Sequence, residues 1–239
     1  MRWPPRRALI TGGSSGIGAA LAIELAAAGC EPLLVGRDAD RLGELARRTG
    51  GRPLRADLTV RDELARVADA AAGVELLINN AGAGWHGPLG AMTAGQVSDL
   101  VALNLTAPME LTRAAMPELS HRGGQVAFVS SIAAVGVHHE AAYAATKAGL
   151  RAFADSIRAE GVPVTTVLPG AVRTGFFDRR GAYTRRFPRP IPPEQVARVL
   201  LTAIERETPE VFVPSWLGLA SRVRGALPGT FRLLARRFG

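Results

Sequence analysis

The chain is poor in three residue types that often carry chemistry, because its 239 residues include one cysteine, one lysine and two tyrosines. The lone Cys30 cannot form an internal disulfide, which agrees with a reducing compartment. No apolar run approaches the roughly 20 residues that a helix needs to cross a bilayer. The first residues pass directly into strand-like sequence, without the pattern of a signal peptide. We therefore expect a cytoplasmic protein without a spanning helix.

Metal-ligand patterns and nucleic-acid-binding motifs are also missing from the sequence. The four histidines, His86, His121, His138 and His139, lack a zinc-like spacing and have no second cysteine to help them. The formal net charge of +8 and the sequence pI of about 11.1 would suit a polyanion. No motif of a DNA- or RNA-binding class accompanies this charge. We expect neither a metal site nor a nucleic-acid partner.

What the chain does contain is an alternation of short apolar runs with longer alanine-rich stretches of helical period. The apolar runs predict seven strands, at 8–11, 32–35, 53–56, 75–79, 125–130, 164–168 and 211–213. The stretches between them predict helices, notably at about 16–28, 39–48, 60–72, 94–117, 141–159 and 193–206. Strands that alternate with helices indicate a doubly wound α/β domain of Rossmann type with a seven-stranded parallel sheet. Such a sheet binds its ligand at the carboxyl ends of the strands.

A glycine-rich sequence, TGGSSGIG at 11–18, follows the first predicted strand. Glycines at 12, 16 and 18 allow a tight turn in which a phosphate can approach the backbone N–H groups that begin a helix. The spacing differs from the standard GxGxxG pattern, and a glycine cluster by itself also fits a plain tight turn. Further motifs are needed before a dinucleotide site can be assigned.

Six motifs, taken in order, resemble those of the short-chain dehydrogenase/reductase family. They are TGGSSGIG, NNAG at 79–82, Asn104, the serine pair at 130–131, YAATK at 143–147 and PG at 169–170. Their order and intervals match the family from about residue 6 to 213. The resemblance implies an NAD(P)-dependent oxidoreductase that forms a homodimer or homotetramer. It also implies one catalytic domain, at 1–214, with a variable lid at about 173–193.

The only lysine of the chain lies four residues after one of its two tyrosines, on the same face of a predicted helix. An unperturbed phenol has a pKa of about 10, and a neighbouring cation lowers that value. Lys147 would therefore help Tyr143 to exchange a proton with an alcohol or carbonyl oxygen. The resemblance adds hydrogen bonds from Lys147 to the nicotinamide ribose, for which a compact ammonium suits better than a planar guanidinium.

Two further catalytic residues are implied by the resemblance. Ser131 corresponds to the serine that hydrogen bonds the substrate oxygen, although it lies one residue closer to Tyr143 than is usual in the family. Ser130 keeps the usual interval and remains the alternative, but a loop such as VGVHHE absorbs a deletion more easily than a strand end does. Asn104 corresponds to the asparagine that bends a helix and supports a proton relay, and an ordinary helix residue is its alternative.

The resemblance also implies which residues bind the cofactor. NAD-preferring relatives place an acidic residue at the end of the second strand, whereas this chain has Gly36 and then Arg37. Because arginine suits a 2′-phosphate, we favour NADP(H) over NAD(H), although Arg37 could be a solvated loop charge and Asp38 follows it. The implied contacts are Gly12, Ser14, Ser15, Gly16, Ile17, Gly18, Arg37, Asp57, Leu58, Asn80, Ala81, Gly82, Tyr143, Lys147, Val172 and Thr174.

The sequence says less about the substrate. Phe176 and Phe177, with Tyr183 and Phe187, lie among arginines in the lid and predict a hydrophobic carbonyl or alcohol substrate that contacts Ser131 and Tyr143. Trp85 is a further candidate for the pocket wall. These aromatic side chains could equally pack against the domain or a neighbouring subunit. A dinucleotide-sensing or scaffold protein without activity is the alternative function, because fold alone does not determine function.

The positive charge is concentrated toward the end of the chain. Residues 173–239 contain 13 arginines against 5 acidic residues, and the segment 215–239 contains five arginines and no acid. Two short amphipathic helices broken near Pro228-Gly229 would suit an anionic membrane surface, so this segment predicts a peripheral membrane contact. Packing on the body or on another subunit is the alternative, and attraction of an acidic acyl carrier or a CoA-linked substrate is a third.

Overall fold

A computed structural model describes residues 3–180, 189–226 and 229 of the chain. The seven strands are β1 (Arg7–Thr11), β2 (Glu31–Gly36), β3 (Arg52–Arg55), β4 (Leu76–Asn79), β5 (Gln125–Val129), β6 (Val164–Pro169) and β7 (Glu210–Val213). They form one parallel sheet in the order β3-β2-β1-β4-β5-β6-β7. The prediction of a seven-stranded, doubly wound parallel sheet is therefore confirmed.

Helices cover both faces of this sheet. They are α1 (Gly16–Ala27), α2 (Ala39–Thr49), α3 (Arg61–Ala71), α4 (Ala94–Val101), α5 (Ala107–Arg122), α6 (Ala141–Ile157), α7 (Phe176–Arg180), α8 (Pro193–Glu205) and α9 (Leu217–Ala226). Short 3₁₀ turns occupy Leu89–Ala91, Ile132–Val135 and Arg158–Glu160. In this part of the chain, no helix is both long and apolar enough to cross a membrane.

The sheet separates two apolar cores, because alternate residues of a strand point to opposite faces. In β1, Ile10 packs with Leu21 of α1 and Leu200 of α8 on one face. On the other face, Leu9 packs with Leu111 of α5 and Leu150 of α6. All six side chains are buried, and burial on both faces explains why the strands are apolar runs without alternation.

One predicted helix is divided in the structure. The sequence predicts a helix over 94–117, and the structure has α4 and α5 joined by a π-helical turn at Ala102–Thr106, with α5 continuing to Arg122. Pro117 lies inside α5, and Gly123 ends it in the left-handed conformation. Helical periodicity detects the helices but not the wider turn, which contains Asn104.

The first part of the basic segment 215–239, the predicted C-terminal extension, packs against the body of the domain. Leu217 at the start of α9 is buried, and Gly218 lies against the ring of Phe212 in β7. Ser221 is hydrogen bonded to the guanidinium of Arg151 in α6. The second amphipathic helix that the sequence predicts, from residue 230 onward, lies outside the described residues.

Candidate active site

A large cavity of about 1110 Å³ lies at the carboxyl ends of the strands, on both sides of the point where the strand order reverses between β1 and β4. This is where a doubly wound sheet places its ligand. Of the predicted site residues that the structure describes, all but Gly18, Asn104 and Trp85 line this cavity. Residues that are far apart in the sequence therefore share one site.

The glycine-rich turn between β1 and α1 forms one wall of the cavity. Gly12 and Gly16 have φ angles of +66° and +57°, which favour glycine. A Cβ at Gly18 would lie 2.2 Å from the carbonyl oxygen of Gly12, so this position requires glycine for the close approach of helix and turn. Gly18 thus shapes the turn from outside the cavity, while Ser14, Ser15 and Ile17 line it. The turn and the volume of the cavity fit a dinucleotide whose phosphates lie at the start of α1.

Thr11, which the sequence analysis did not single out, connects this turn to the NNAG segment after β4. Its Oγ1 accepts hydrogen bonds from the backbone N–H of Asn80 at 2.9 Å and of Ala81 at 3.0 Å. The side-chain amide of Asn80 donates to the carbonyl oxygens of Thr11 and Gly12. Asn80 therefore holds the phosphate turn in place through its side chain.

Charged residues surround the end of the cavity that lies beyond β2 and β3. Arg37 lies 3.5 Å from a carboxylate oxygen of Asp57, and its side chain is 70% exposed. Although burial opposes the shift, hydrogen bonds from Thr59 and the charge of Arg37 lower the pKa of Asp57. Arg41, a second cation that sequence reasoning missed, also lines the cavity and pairs with Asp38 at 3.3 Å. This end can therefore bind an anionic group.

Asn104 lies in the π-helical turn and is fully buried beside the cavity. Its side-chain oxygen accepts from the backbone N–H of Ala83, and its amide donates to the carbonyl oxygen of Ala83, both at 2.9 Å. The amide also donates to Thr146 Oγ1 on α6 at 3.0 Å. These contacts assign Asn104 a positioning role, because they tie the NNAG segment to the helix that carries Tyr143. Its participation in a proton relay stays a prediction.

The two candidate serines at the end of β5 have different partners. Ser130 Oγ donates to the backbone carbonyl oxygen of Lys147 at 3.0 Å, which joins β5 to α6. The Ser131 hydroxyl lies close enough to Tyr143 to oppose the increase in the pKa of the phenol. Its Oγ also accepts from the backbone N–H of Ala133. The geometry thus favours Ser131 as the residue beside the reacting oxygen.

Tyr143 and Lys147 lie on one face of α6, and both are buried in the wall of the cavity. The Lys147 ammonium donates to the carbonyl oxygen of Val129 at 2.9 Å and lies 6.0 Å from the centre of the Tyr143 ring. Burial lowers the pKa of Lys147 to about 8. Burial also raises the pKa of Tyr143 to about 12, against the opposing effects of Ser131 and Arg180.

The sequence predicts that Lys147 lowers the pKa of Tyr143, and the structure does not show this effect. The ammonium is directed at Val129, and the cost of burying a phenolate outweighs the groups that favour it. Glu140, just before α6, adds to the increase. The electrostatic control of Tyr143 therefore involves residues beyond the Tyr-Lys pair.

Apolar and aromatic side chains surround the Tyr143 end of the cavity. The rings of Tyr143 and Phe176 lie 5.8 Å apart, and Phe177 contacts Phe176 edge to face at 5.9 Å. Trp85 packs in the same cluster but does not line the cavity. Tyr183 and Phe187, the other aromatic residues of the predicted lid, lie outside the described residues.

The remaining wall comes from residues that the sequence analysis had assigned to the C-terminal extension. Trp216, Leu217, Leu219 and Val223 line the cavity from α9 and the residue before it. No local pattern could reveal this, because the position of α9 beside the cavity depends on the pairing of β7 with β6 in the sheet. Glu140 and Arg180 also line the cavity and were not predicted.

The fold and the site together define a nicotinamide-dependent oxidoreductase that acts on CH–OH and C=O groups. The chain belongs to the short chain dehydrogenase family, since the model of that family matches residues 6–183. This assignment agrees with the resemblance identified from the sequence motifs.

Curated relatives and solved structures resemble nearly the whole chain. An uncharacterized short-chain type dehydrogenase/reductase of Sinorhizobium fredii is 33% identical, with 83% of this chain and 85% of the relative covered. A ketoacyl reductase of Nostoc sp. is 30% identical, with 86% and 77% covered. A short-chain dehydrogenase from Sphingobium yanoikuyae, solved with NADPH, has a TM-score of 0.83 and 30% identity, with 93% and 95% covered. A bulky-bulky ketone specific alcohol dehydrogenase from Comamonas testosteroni has a TM-score of 0.79 and 28% identity, with 94% of each chain covered.

Proposed function

We propose that this protein interconverts hydrophobic carbonyl compounds and secondary alcohols with NADP(H). The observation that carries the proposal is the placement of Ser131, Tyr143 and Lys147 at the aromatic end of a cavity whose other end is cationic. The apolar wall from Phe176, Phe177 and α9 supports a hydrophobic substrate. The relatives that act on a bulky ketone and on a ketoacyl group support a carbonyl of this kind.

The chain's own residues perform the proton chemistry in this proposal. When bound, the nicotinamide supplies or accepts a hydride at the carbonyl carbon. Ser131 donates a hydrogen bond to the substrate oxygen, and Tyr143 gives its proton to that oxygen in the reductive direction. The Lys147 ammonium donates hydrogen bonds to the nicotinamide ribose. Asn104 holds the end of the NNAG segment against α6. We favour reduction because we favour NADPH.

The test is a panel of aldehydes and ketones of increasing apolar size, incubated with NADPH and followed at the nicotinamide absorbance. We expect turnover that rises with the apolar size of the group on the carbonyl. NADPH binding without turnover of any member of the panel would instead support the dinucleotide-sensing or scaffold alternative. The intact Ser131, Tyr143 and Lys147 argue against that alternative.

The preference for NADP(H) rests on the cations at the adenosine end. Arg37 follows β2 directly, where an acidic residue would hold a ribose 2′-hydroxyl. Its guanidinium is well exposed and only loosely paired with Asp57, so it is available to a 2′-phosphate. Arg41 lines the same end and adds positive charge.

Replacing Arg37 by alanine is expected to weaken NADPH binding about tenfold while changing NADH binding little. A hydrogen bond to a charged group contributes roughly 1.5–3 kcal/mol, and the exposure of Arg37 places it at the lower end. Titration calorimetry with both cofactors measures the difference. Arg113→Ala is the matched control, because Arg113 is equally exposed, pairs with Glu110 and lies away from the cavity. Equal losses for the two cofactors would show that Arg37 only shapes the loop.

We also propose that the C-terminal region contacts anionic membranes beside the cavity. Trp216 and Leu219 line the cavity and yet are 45% and 65% exposed, so they form an apolar rim. Arg222 on α9 is exposed, and the chain beyond Ala226 adds Arg232, Arg236 and Arg237 without an acidic residue. An apolar rim with adjacent positive charge is the composition that binds an anionic lipid surface.

Co-sedimentation with vesicles tests this contact. The full chain is expected to bind anionic vesicles at low salt, to be released at high salt and to leave neutral vesicles unbound. A chain that ends at Ala226 is expected to lose most of this binding while keeping the cavity wall, because Leu217 and α9 remain. Failure of the full chain to bind at low salt would contradict the proposal. Self-association of the full chain, lost in the shorter one, would then assign the segment to a homodimer or homotetramer interface.

A further inference from the structure

The lid helix α7 is joined to the loop before α6 by a buried ion pair. Arg180 Nη1 lies 2.8 Å from Glu140 Oε2, and each side chain is 8% exposed. Within the described part of the chain, no other ion pair is as deeply buried. Because both charges lose their hydration, a buried pair by itself is weak evidence for stabilisation of the fold. Its position relative to the reacting groups points to another role.

The pair forms because side chains of α7 pack against the backbone at Gly84, which follows the NNAG segment. A Cβ at Gly84 would lie 2.5 Å from Phe176 Cζ and 2.8 Å from Arg180 Cδ, so any larger residue there would force these two side chains to shift. The Arg180 guanidinium lies 5.0 Å from the ring centre of Phe177 and 5.7 Å from that of Phe176. Arg180 is therefore held beside Glu140 by the docking of the whole helix.

Both members of the pair act on Tyr143. Glu140 lies three residues before Tyr143. Arg180 contacts the ring of Phe176, which in turn contacts the ring of Tyr143. Glu140 raises the pKa of Tyr143 and Arg180 lowers it, so their effects oppose each other. Lys147 on α6 is the other charged group close to the ring, and His138, in the loop before Glu140, also lines the cavity. Arg180 is the only one of these groups that the lid contributes.

We propose that Glu140 and Arg180 are a matched positioning pair: docking of α7 brings Arg180 to cancel the negative field of Glu140 at the Tyr143 hydroxyl, which enables the phenol to exchange its proton. This inference deepens the proposed function and rests on it, since its consequence for turnover depends on proton transfer by Tyr143. In the reductive direction the cancelled field makes the phenol a better acid. In the oxidative direction it favours the phenolate that accepts the proton.

The scarcity of tyrosine allows a direct measurement. Because the chain has only Tyr143 and Tyr183, the variant Tyr183→Phe leaves Tyr143 as its sole phenol. The tyrosinate ultraviolet absorbance of this parent protein then reports the titration of Tyr143 without any turnover. Far-ultraviolet circular dichroism of the same samples gives the pH at which the fold is lost. A tyrosinate absorbance that appears only at that pH means that the Tyr143 midpoint in the folded protein lies above it.

In this parent, Glu140→Gln is expected to lower the Tyr143 midpoint by about one pH unit, because Arg180 is left without its counter-charge. Arg180→Met, which keeps the apolar stem, is expected to raise the midpoint, and Arg180→Lys to keep it near the parent value. The double variant Glu140→Gln/Arg180→Met is expected to return to the parent midpoint. Opposite shifts for the two single changes are not expected of a pair that only stabilises the fold.

A remote ion pair supplies the control. Glu210→Gln removes the carboxylate that Arg151 contacts between β7 and α6, and it is expected to leave the Tyr143 midpoint unchanged. An unchanged midpoint in folded Glu140→Gln, or its appearance only on unfolding, would overturn the proposal. If Glu140→Gln does not fold, equal midpoints of Arg180→Lys and Arg180→Met below the unfolding limit, or equal pH dependence of kcat in the two, would overturn it. Absence of carbonyl reduction in the wild-type chain would contradict the proposed function but would leave the titration result intact.

Discussion

Tyr143→Phe is expected to reduce kcat for carbonyl reduction by about 10²–10⁴-fold, the usual contribution of a positioned proton donor. The variant keeps the ring that packs against Phe176 and Ala133 and removes only the hydroxyl that Ser131 contacts. Its fold is therefore expected to persist. Steady-state kinetics with NADPH and the best carbonyl substrate measures the loss.

A loss of kcat in Tyr143→Phe can be assigned to proton transfer only if the variant still binds the cofactor. Calorimetry should give an NADPH affinity close to that of the wild-type protein, because Tyr143 lines the aromatic end of the cavity, where its ring contacts Phe176. Thermal unfolding should likewise change little. Near-normal turnover in a folded Tyr143→Phe protein would refute the assigned mechanism.

Lys147→Arg is expected to cost about 10²-fold in kcat/KM despite the conserved charge. The side chain is 4% exposed, and its ammonium donates to the Val129 carbonyl oxygen at 2.9 Å. It also lies 3.4 Å from the position that a Cβ of Gly82 would occupy. A planar guanidinium is larger and cannot satisfy these contacts and the ribose from the same position. A lower unfolding temperature is expected for the same reason.

The single lysine also allows its contact with the cofactor to be measured without turnover. A pKa of about 8 leaves a reactive neutral fraction of the Lys147 amine at mildly alkaline pH, so an acylating reagent should modify Lys147, as detected by mass spectrometry. Saturating NADPH is expected to protect it. Arg113→Lys adds an exposed lysine away from the cavity, whose modification should be the same with and without NADPH. Equal modification of Lys147 in both conditions would contradict its role at the ribose.

Local sequence patterns predicted the fold and the main motifs of the site. Apolar runs that alternate with helical stretches gave all seven strands, and crossover helices implied a parallel sheet, since each depends on residues a few positions apart. The conjunction of TGGSSGIG, NNAG and YAATK indicated the family, which the family model confirms. The spacing of Tyr143 and Lys147 placed both on one helix face because the helical repeat fixes positions i and i+4.

Contacts between distant segments were outside the reach of such patterns. The choice between Ser130 and Ser131 depends on which hydroxyl lies beside Tyr143 and which one bonds the α6 backbone, and the peptide spacing allowed both. The apolar residues of 215–226 predicted an amphipathic helix that could face a membrane, the body of the domain or another subunit, and the structure uses Leu217 as part of the cavity wall. Amphipathic composition shows that a face will be covered but not by what.

The sequence by itself determined that this chain is a doubly wound α/β oxidoreductase with a Tyr-Lys pair, because periodicity and motif spacing are properties of neighbouring residues. Only the tertiary structure decided how the proton chemistry is controlled. Glu140 and Arg180 are forty residues apart and belong to no motif, yet the packing of α7 at Gly84 brings them together beside Tyr143. Their effect on the phenol arises from burial and distance, which are set by packing across the mouth of the cavity.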